Sequence, residues 1–290
     1  MGTSADGTSA DGTGPHGPTD EDHGSAPDAA GAPAHPADRP RPGARAGRDR
    51  RGSRMLPHFE ALHAAGDEPW SFSARAVERL RHERIAALVA ALGPRRVLDL
   101  GCSLGQLTAR LAVLPAEVYA MDLSPTAVRR ARDRLRGDAA SAPLGPARLP
   151  GFLSGSATQL PFGPGTFDVV VASDGLYSWE LDAAERAAAL AQVHGALAPG
   201  GHAILTEHMR PARFAGFVDE VRASPLRVAR VTYLYDRPCY QFESWLRAVN
   251  DWRGAQALRR SMPLARALCA VGRLIGPAAS RHICVVATRA

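Results

Sequence analysis

The 290-residue chain contains no lysine. All 35 of its basic residues are arginine, set against 29 acids for a net charge of +6 and a pI near 9.7. Cysteine is scarce: Cys102, Cys239, Cys269 and Cys284 form no Cys-x-x-Cys pair, so neither a disulfide scaffold nor a cysteine-cluster zinc site fits. Aromatic residues make up only 6%. No apolar run approaches the roughly 20 residues that cross a bilayer, so membrane-spanning helices are excluded and a cytoplasmic protein is expected. The arginines are interleaved with acids, whereas nucleic-acid binding wants charge gathered on one face. The basic excess therefore reads as a solvated arginine-rich surface, and no nucleic-acid partner is expected.

Residues 2–54 lack Val, Leu, Ile, Phe, Tyr, Trp and Cys, hold ten Gly and seven Pro, and open on a repeated Gly-Thr-Ser-Ala-Asp. Such a segment has almost nothing to bury against the entropy of ordering. A disordered tail is expected over 1–54 and a single domain over 55–290. Arg50-Arg51 is followed by no apolar stretch and does not read as an export signal.

From Met55 the pattern becomes foldable. Met55–Gly66 reads as a short amphipathic helix, and Ser71–Leu92 as a longer one that stops at Gly93-Pro94. Apolar runs then predict strands at Arg96–Leu100, Glu117–Met121, Gly151–Ser154, Phe167–Ala172, His202–Thr206, Val228–Tyr235 and His282–Ala287. Helices are predicted at Gln106–Leu114, Pro125–Arg136, Leu181–Leu197 and Ala212–Ala223. The alternation implies an α/β, Rossmann-like, doubly wound and mostly parallel sheet.

The most informative segment is Val97-Leu-Asp-Leu-Gly-Cys-Ser-Leu-Gly-Gln-Leu-Thr108. A buried strand runs into a glycine turn and then a helix, and Gly101 and Gly105 permit close backbone approach to a ligand. Asp99 at the strand end would repel a pyrophosphate and suits a ligand with a positive end, such as the amino group of S-adenosylmethionine. The spacing is not Gly-x-Gly-x-x-Gly, and no Walker lysine is present. Asp122 ends the second strand 23 residues after Asp99, close to the roughly 20-residue spacing of an acid that takes ribose hydroxyls.

These motifs resemble the class I S-adenosylmethionine-dependent methyltransferases over about Ser71–Ala290. VLDLGCSLGQLT resembles the family's first motif, AMDLSP its ribose-binding acid, SATQLPFGPGTFDVVVAS the stretch from the adenine contact into the fourth strand, and LAPGGHAIL the turn into the fifth. The resemblance implies a seven-stranded sheet with an antiparallel last strand and S-adenosyl-L-methionine as cofactor. It places Asp99, Gly101, Cys102, Ser103, Gly105, Asp122, Leu123, Ser156, Ala157, Thr158 and Ser173 around the cofactor. Many members carry an Asp where Ser156 stands. A narrower resemblance, to NodS-like nodulation N-methyltransferases, rests on Glu68-Pro69-Trp70 and Glu78-Arg79-Leu80-Arg81-His82. In that group an N-terminal segment closes over the cofactor. The analogy makes Trp70 a cofactor-site candidate, together with Arg81 as a fork for the cofactor's carboxylate.

A small-molecule acceptor, at oxygen or nitrogen and of specialised-metabolite type, is expected at the carboxyl ends of the strands. Asp174 and Tyr177, after the fourth strand, are candidates to orient it. His208, after the fifth, is the candidate general base, because an imidazole titrates near neutrality. Tyr233–Trp252 holds six of the chain's 17 aromatics. With the predicted helix Met262–Ile275 it reads as a helical insertion, residues 236–281, over the acceptor pocket. A basic amphipathic helix on a membrane surface is the alternative. An RNA methyltransferase and a non-catalytic cofactor-binding module remain open; Ser173-Asp174-Gly175-Leu176 departs from the Pro-Pro motif of RNA amino-group enzymes. The expected assembly is a monomer or homodimer.

Overall fold

The computed structural model describes residues 55–66, 68–141, 149–176, 181–247 and 253–290. The predicted tail and Tyr177 lie outside the described residues. Helices α1 (Leu56–Ala65) and α2 (Ala76–Leu92) precede the first strand. The strands are β1 (Arg96–Leu100), β2 (Glu117–Asp122), β3 (Gly151–Ser154), β4 (Phe167–Ser173), β5 (Leu197–His208), β6 (Arg227–Tyr233) and β7 (His282–Thr288). Between them run α3 (Gln106–Leu111), α4 (Pro125–Ser141), α5 (Ala183–Ala196) and α6 (Phe214–Arg222). Three more helices, α7 (Arg237–Arg247), α8 (Arg253–Arg260) and α9 (Met262–Ile275), separate β6 from β7.

The seven strands form one sheet in the order β3-β2-β1-β4-β5-β7-β6. The pairs from β3 through β5 are parallel, and β7 runs antiparallel to both β5 and β6. This is the Rossmann-like, doubly wound sheet that the alternation predicts. Its order reverses between β1 and β4, and a crevice opens where their carboxyl ends diverge.

Alternation along each strand sorts side chains to two faces. Leu98, Leu100, Val170 and Ala172 meet α5 and α6 on one face, while Val97, Val169 and Val171 meet α2 and α3 on the other. A third cluster, Ala76, Val77, Leu80, Cys239, Ala265 and Cys269, joins α2 to α7 and α9. Strand β5 runs past its predicted end through His208 because β7 pairs with it as far as His208↔His282.

Candidate functional site

A cavity lies at the carboxyl ends of β1, β2 and β4, where the sheet order reverses. Its floor is two backbone segments in contact. Gly101, at φ +81°, would place a Cβ 3.7 Å from the Cα of Gly175, so the turn after β1 and the turn after β4 come together without side chains. Asp174, beside Gly175, is held at φ +59°, in the left-handed region that few L-residues other than Asn and Asp favour. Its amide donates to Thr206 O at 2.7 Å.

Asp122 reaches the cavity wall from the end of β2. One carboxylate oxygen accepts from the Ser103 amide at 2.8 Å and the other from the Ser124 amide at 2.9 Å. Burial raises its pKa, against the pull of these two amides and of His63. Leu123, Ser156 and Ala157 continue the wall, and Ser103, Ser173 and Asp174 also line the cavity. Thr158 stands back from the wall and braces Ser156, hydroxyl to hydroxyl at 2.8 Å.

Other predicted cofactor contacts face elsewhere. Asp99 points from β1 to the face covered by α3, where it accepts from Thr108 Oγ1 at 2.6 Å; the cavity opens beyond Leu100 instead. Burial pushes its pKa up to about 7, partly opposed by the Thr108 hydroxyl. Gly105 serves helix packing. At φ +75° it begins α3, and a Cβ there would stand 3.1 Å from both Ala131 Cβ and Leu135 Cδ1 of α4. Cys102 is buried with its Sγ toward Ser103 O at 3.7 Å, behind the wall.

The cover comes from the N-terminal segment. Met55, the residue that caps α1, and Phe59 and His63 within it, spaced four apart, line the cavity together with Trp70 and Phe72. Trp70 stacks on Phe72 at 5.8 Å and meets His63 edge-on at 5.3 Å. His63 Nε2 lies 3.2 Å from Ser103 Oγ. Three anchors hold this cover. Glu60 accepts from the Thr126 amide at 3.0 Å and from the Ser124 and Thr126 hydroxyls, which sets a carboxylate on the first turn of α4. Those hydrogen bonds bring its pKa down to about 2. Arg130 of α4 donates to His63 O and Gly66 O at the carboxyl end of α1. Glu68 accepts from the Ser73 amide and from Gln106 Nε2, both at 3.0 Å.

Behind Asp174 runs a buried chain of charges. Arg81 Nη1 is 2.6 Å from Asp174 Oδ2 and donates to Ser173 Oγ at 2.6 Å, and Nη2 is 3.0 Å from Glu78 Oε2. Arg81 is 2% exposed, and its fork is taken by the protein's own oxygens; it therefore supports the cavity wall and is not part of it. Glu78 also pairs with Arg75 and accepts from Tyr240 Oη at 2.7 Å. On the other side of Asp174, His282 Nε2 lies 3.4 Å from Asp174 Oδ2, and its Nδ1 is hydrogen-bonded to Asp236. Burial alone would lower the His282 pKa, but Asp236 and Asp174 facing it raise it to about 9.

His208 belongs to this packing. Continued pairing of β5 with β7 turns its ring onto His282 at 4.9 Å and Tyr240 at 5.5 Å, off the cavity wall. The helices α7–α9 form as an insertion, but no described residue of 236–281 lines the cavity. Of the aromatics expected there, Tyr240 is sunk in the charge chain, Trp245 is 65% exposed, and Trp252 lies outside the described residues. Helices α7 and α9 are occupied in packing on α2, which leaves the cover to α1 and Trp70–Phe72.

Residues 98–205 match the family model described as a methyltransferase domain. The chain is similar to nodulation protein S of Rhizobium tropici, with 31% identity over 145 residues that span 48% of this chain and 55% of that protein. Among solved structures it is similar to the N-methyltransferase NodS of Bradyrhizobium japonicum in complex with S-adenosyl-L-homocysteine, at 22% identity and a TM-score of 0.50 over 62% of this chain and 89% of that one. It is also similar to the magnesium protoporphyrin IX methyltransferase of Synechocystis with bound S-adenosylmethionine, at 18% identity and a TM-score of 0.53 over 82% and 97%. The chain spans between about half and two thirds of the length of the curated relatives it matches.

Proposed function

We propose, from the premise that the chain carries a class I S-adenosylmethionine-dependent methyltransferase domain, that the whole protein transfers a methyl group to an oxygen or nitrogen of a small molecule of specialised-metabolite type. The observation that carries this reading is Asp122. It is an acid at the end of β2, on the cavity wall, with one oxygen on each of two backbone amides beside a floor of bare glycine backbone. A carboxylate held in that way fits a pair of ribose hydroxyls and would repel a phosphate.

S-adenosyl-L-methionine, when bound, supplies a methyl group already activated on a positively charged sulfur. The chain's own task is then to bind, orient and exclude water. Asp122 would hold the ribose. Leu123, Ser156 and Ala157 would flank the adenine, with the Ser156 hydroxyl in place of the family's more usual carboxylate. Gly101 and Ser173 would border the amino-acid end, and Phe59, His63, Trp70 and Phe72 would close the site. On the acceptor side Asp174 is the orienting residue, its carboxylate set beside Arg81 and His282. The small-molecule reading is supported by the magnesium protoporphyrin IX methyltransferase, whose name denotes transfer to a small acceptor.

The test uses purified full-length protein. S-adenosylhomocysteine should raise the melting temperature, Asp122→Ala should abolish that shift, and labelled methyl should pass to a component of a small-molecule extract. No thermal shift with the wild type, or an unchanged shift in Asp122→Ala, overturns the donor site. A normal shift without transfer to any metabolite extract points to the binding-module alternative.

A further inference from the structure

Residues 236–281 hold eight arginines against three acids, a net charge of +5 in a chain whose total is +6. The excess that looks dispersed along the sequence is therefore concentrated in the insertion. Two of the three acids, Asp236 and Glu243, are buried at 1% and 4% exposure. Among the described residues of this segment the exposed charges are all arginine: Arg237, Arg247, Arg260, Arg266 and Arg273.

Helix α9 adds an inverted polarity pattern. Its inner face, Ala265, Cys269 and Gly272, is buried against α2, α7 and Tyr235. A helix packed this way ordinarily turns polar side chains outward. Here the outward face is apolar as well. Ala267 and Ala270 are exposed, and Val271, Leu274 and Ile275 are 51%, 88% and 64% exposed. Arg266, which also meets Glu83 of α2 at 3.2 Å on the exposed surface, and Arg273, seven residues on along the same edge, are the only charged side chains of the helix.

Among the described residues none covers that face. Residues 2–54 contain no large apolar side chain. A second copy docked through the same face would set arginines against arginines. At 14 residues and 1.5 Å per residue, about 21 Å, α9 is too short to cross a bilayer. An apolar face edged by arginine is the pattern of a helix lying in the headgroup layer.

We propose that the outer face of α9 rests on an anionic lipid surface, with Val271, Leu274 and Ile275 entering the acyl boundary and Arg266 and Arg273 at the phosphates. The inference stands apart from the methyl-transfer reading, because none of these residues borders the cavity. The experiment is co-sedimentation of full-length protein with phosphatidylcholine vesicles, with and without one third phosphatidylglycerol. Binding is expected to the anionic vesicles only and to weaken with added salt. The triple substitution Val271→Ser, Leu274→Ser and Ile275→Ser should weaken it by about tenfold or more, and Arg266→Gln with Arg273→Gln should weaken it while reducing its salt dependence. Leu274→Ser alone, at the most exposed position, guards against misfolding of the triple variant; an unchanged circular dichroism spectrum and melting temperature certify each protein. Equal sedimentation with neutral vesicles, or full anionic binding by a folded Leu274→Ser and triple variant, overturns the proposal. So does a wild-type dimer that the triple substitution dissociates, since the occupant would then be a second copy. Sedimentation with neither vesicle and capture by an acidic protein instead overturns it too.

Discussion

Replacing Asp236 with Asn removes one negative charge from the buried chain while leaving its shape. Asp236 Oδ1 accepts from the amides of Arg281 and His282, and its other oxygen faces His282 Nδ1. An asparagine oxygen can keep the two amide hydrogen bonds. What it cannot do is sustain a protonated His282. The folded pKa of His282 is raised from 6.5 to about 9, and at 1.36 kcal/mol per unit this linkage amounts to about 3 kcal/mol. The folded pKa lies above the unfolded one, so the stabilisation is fully present below about pH 6.5 and is lost as pH rises through about 9. In Asp236→Asn, His282 retains Asp174, which it shares with Arg81, and the attraction of Glu78. The variant should therefore be less stable than the wild type by about 2–3 kcal/mol near pH 6, and the two curves should draw together toward pH 10. Urea unfolding across that range measures the gap, and groups that titrate alike in both proteins cancel in the difference. A gap that stays constant with pH would refute the reasoning, because it would assign Asp236 a role in packing and neutral hydrogen bonding alone. So would a wild-type His282 ring proton that titrates in NMR at or below 6.5.

Glu60→Gln should loosen the N-terminal cover and weaken S-adenosylhomocysteine binding several-fold, about 1 kcal/mol after allowance for the solvent exposure of this carboxylate; an unchanged calorimetric affinity would dissociate the cover from binding. Because the Glu60 pKa falls to about 2, the anchor persists above the ordinary carboxylate range and is lost only as pH drops toward 2. Gly105→Ala meets both a left-handed backbone and the α4 side chains at 3.1 Å, so it should lower stability by about 1–3 kcal/mol yet leave the donor affinity intact; a large affinity loss at unchanged melting temperature would return Gly105 to the binding surface. Asp99→Asn reverses the usual sign. With a folded pKa of about 7, the wild type gives up stability as pH rises from about 4 through 7, so the variant should be the more stable protein at pH 8 in denaturant melts and lose that advantage in acid.

Much of this architecture is legible in the sequence because burial leaves a local mark. The runs Arg96–Leu100 and Gly151–Ser154 are strands with those bounds, since each is closed by turn residues or charges at both ends. Asp122 was legible for the same reason, as an acid where an apolar run stops. What local sequence does not carry depends on partners distant in the chain. His208 ends a strand in sequence terms, but β7, more than 70 residues later, keeps it paired and turns it inward. Arg81 reads as a free fork until Asp174 and Glu78 are seen to occupy it. Strand alternation itself separates Asp99 from its neighbours Leu98 and Leu100. The spacing of Phe59 and His63 marked one face of α1, while the surface it covers depends on Glu60 meeting α4.

Trp70 also gives the protein an optical gauge of its own site. Its indole lies parallel to Phe72, edge-on to His63, on the wall of the cavity. An indole's emission colour and yield follow its exposure to water, so filling the cavity or lifting α1 alters the light Trp70 gives. The chain has only four tryptophans. With Trp179, Trp245 and Trp252 changed to Phe, a single emitter would remain, and the movement of the N-terminal cover could be followed by stopped-flow fluorescence without an attached dye.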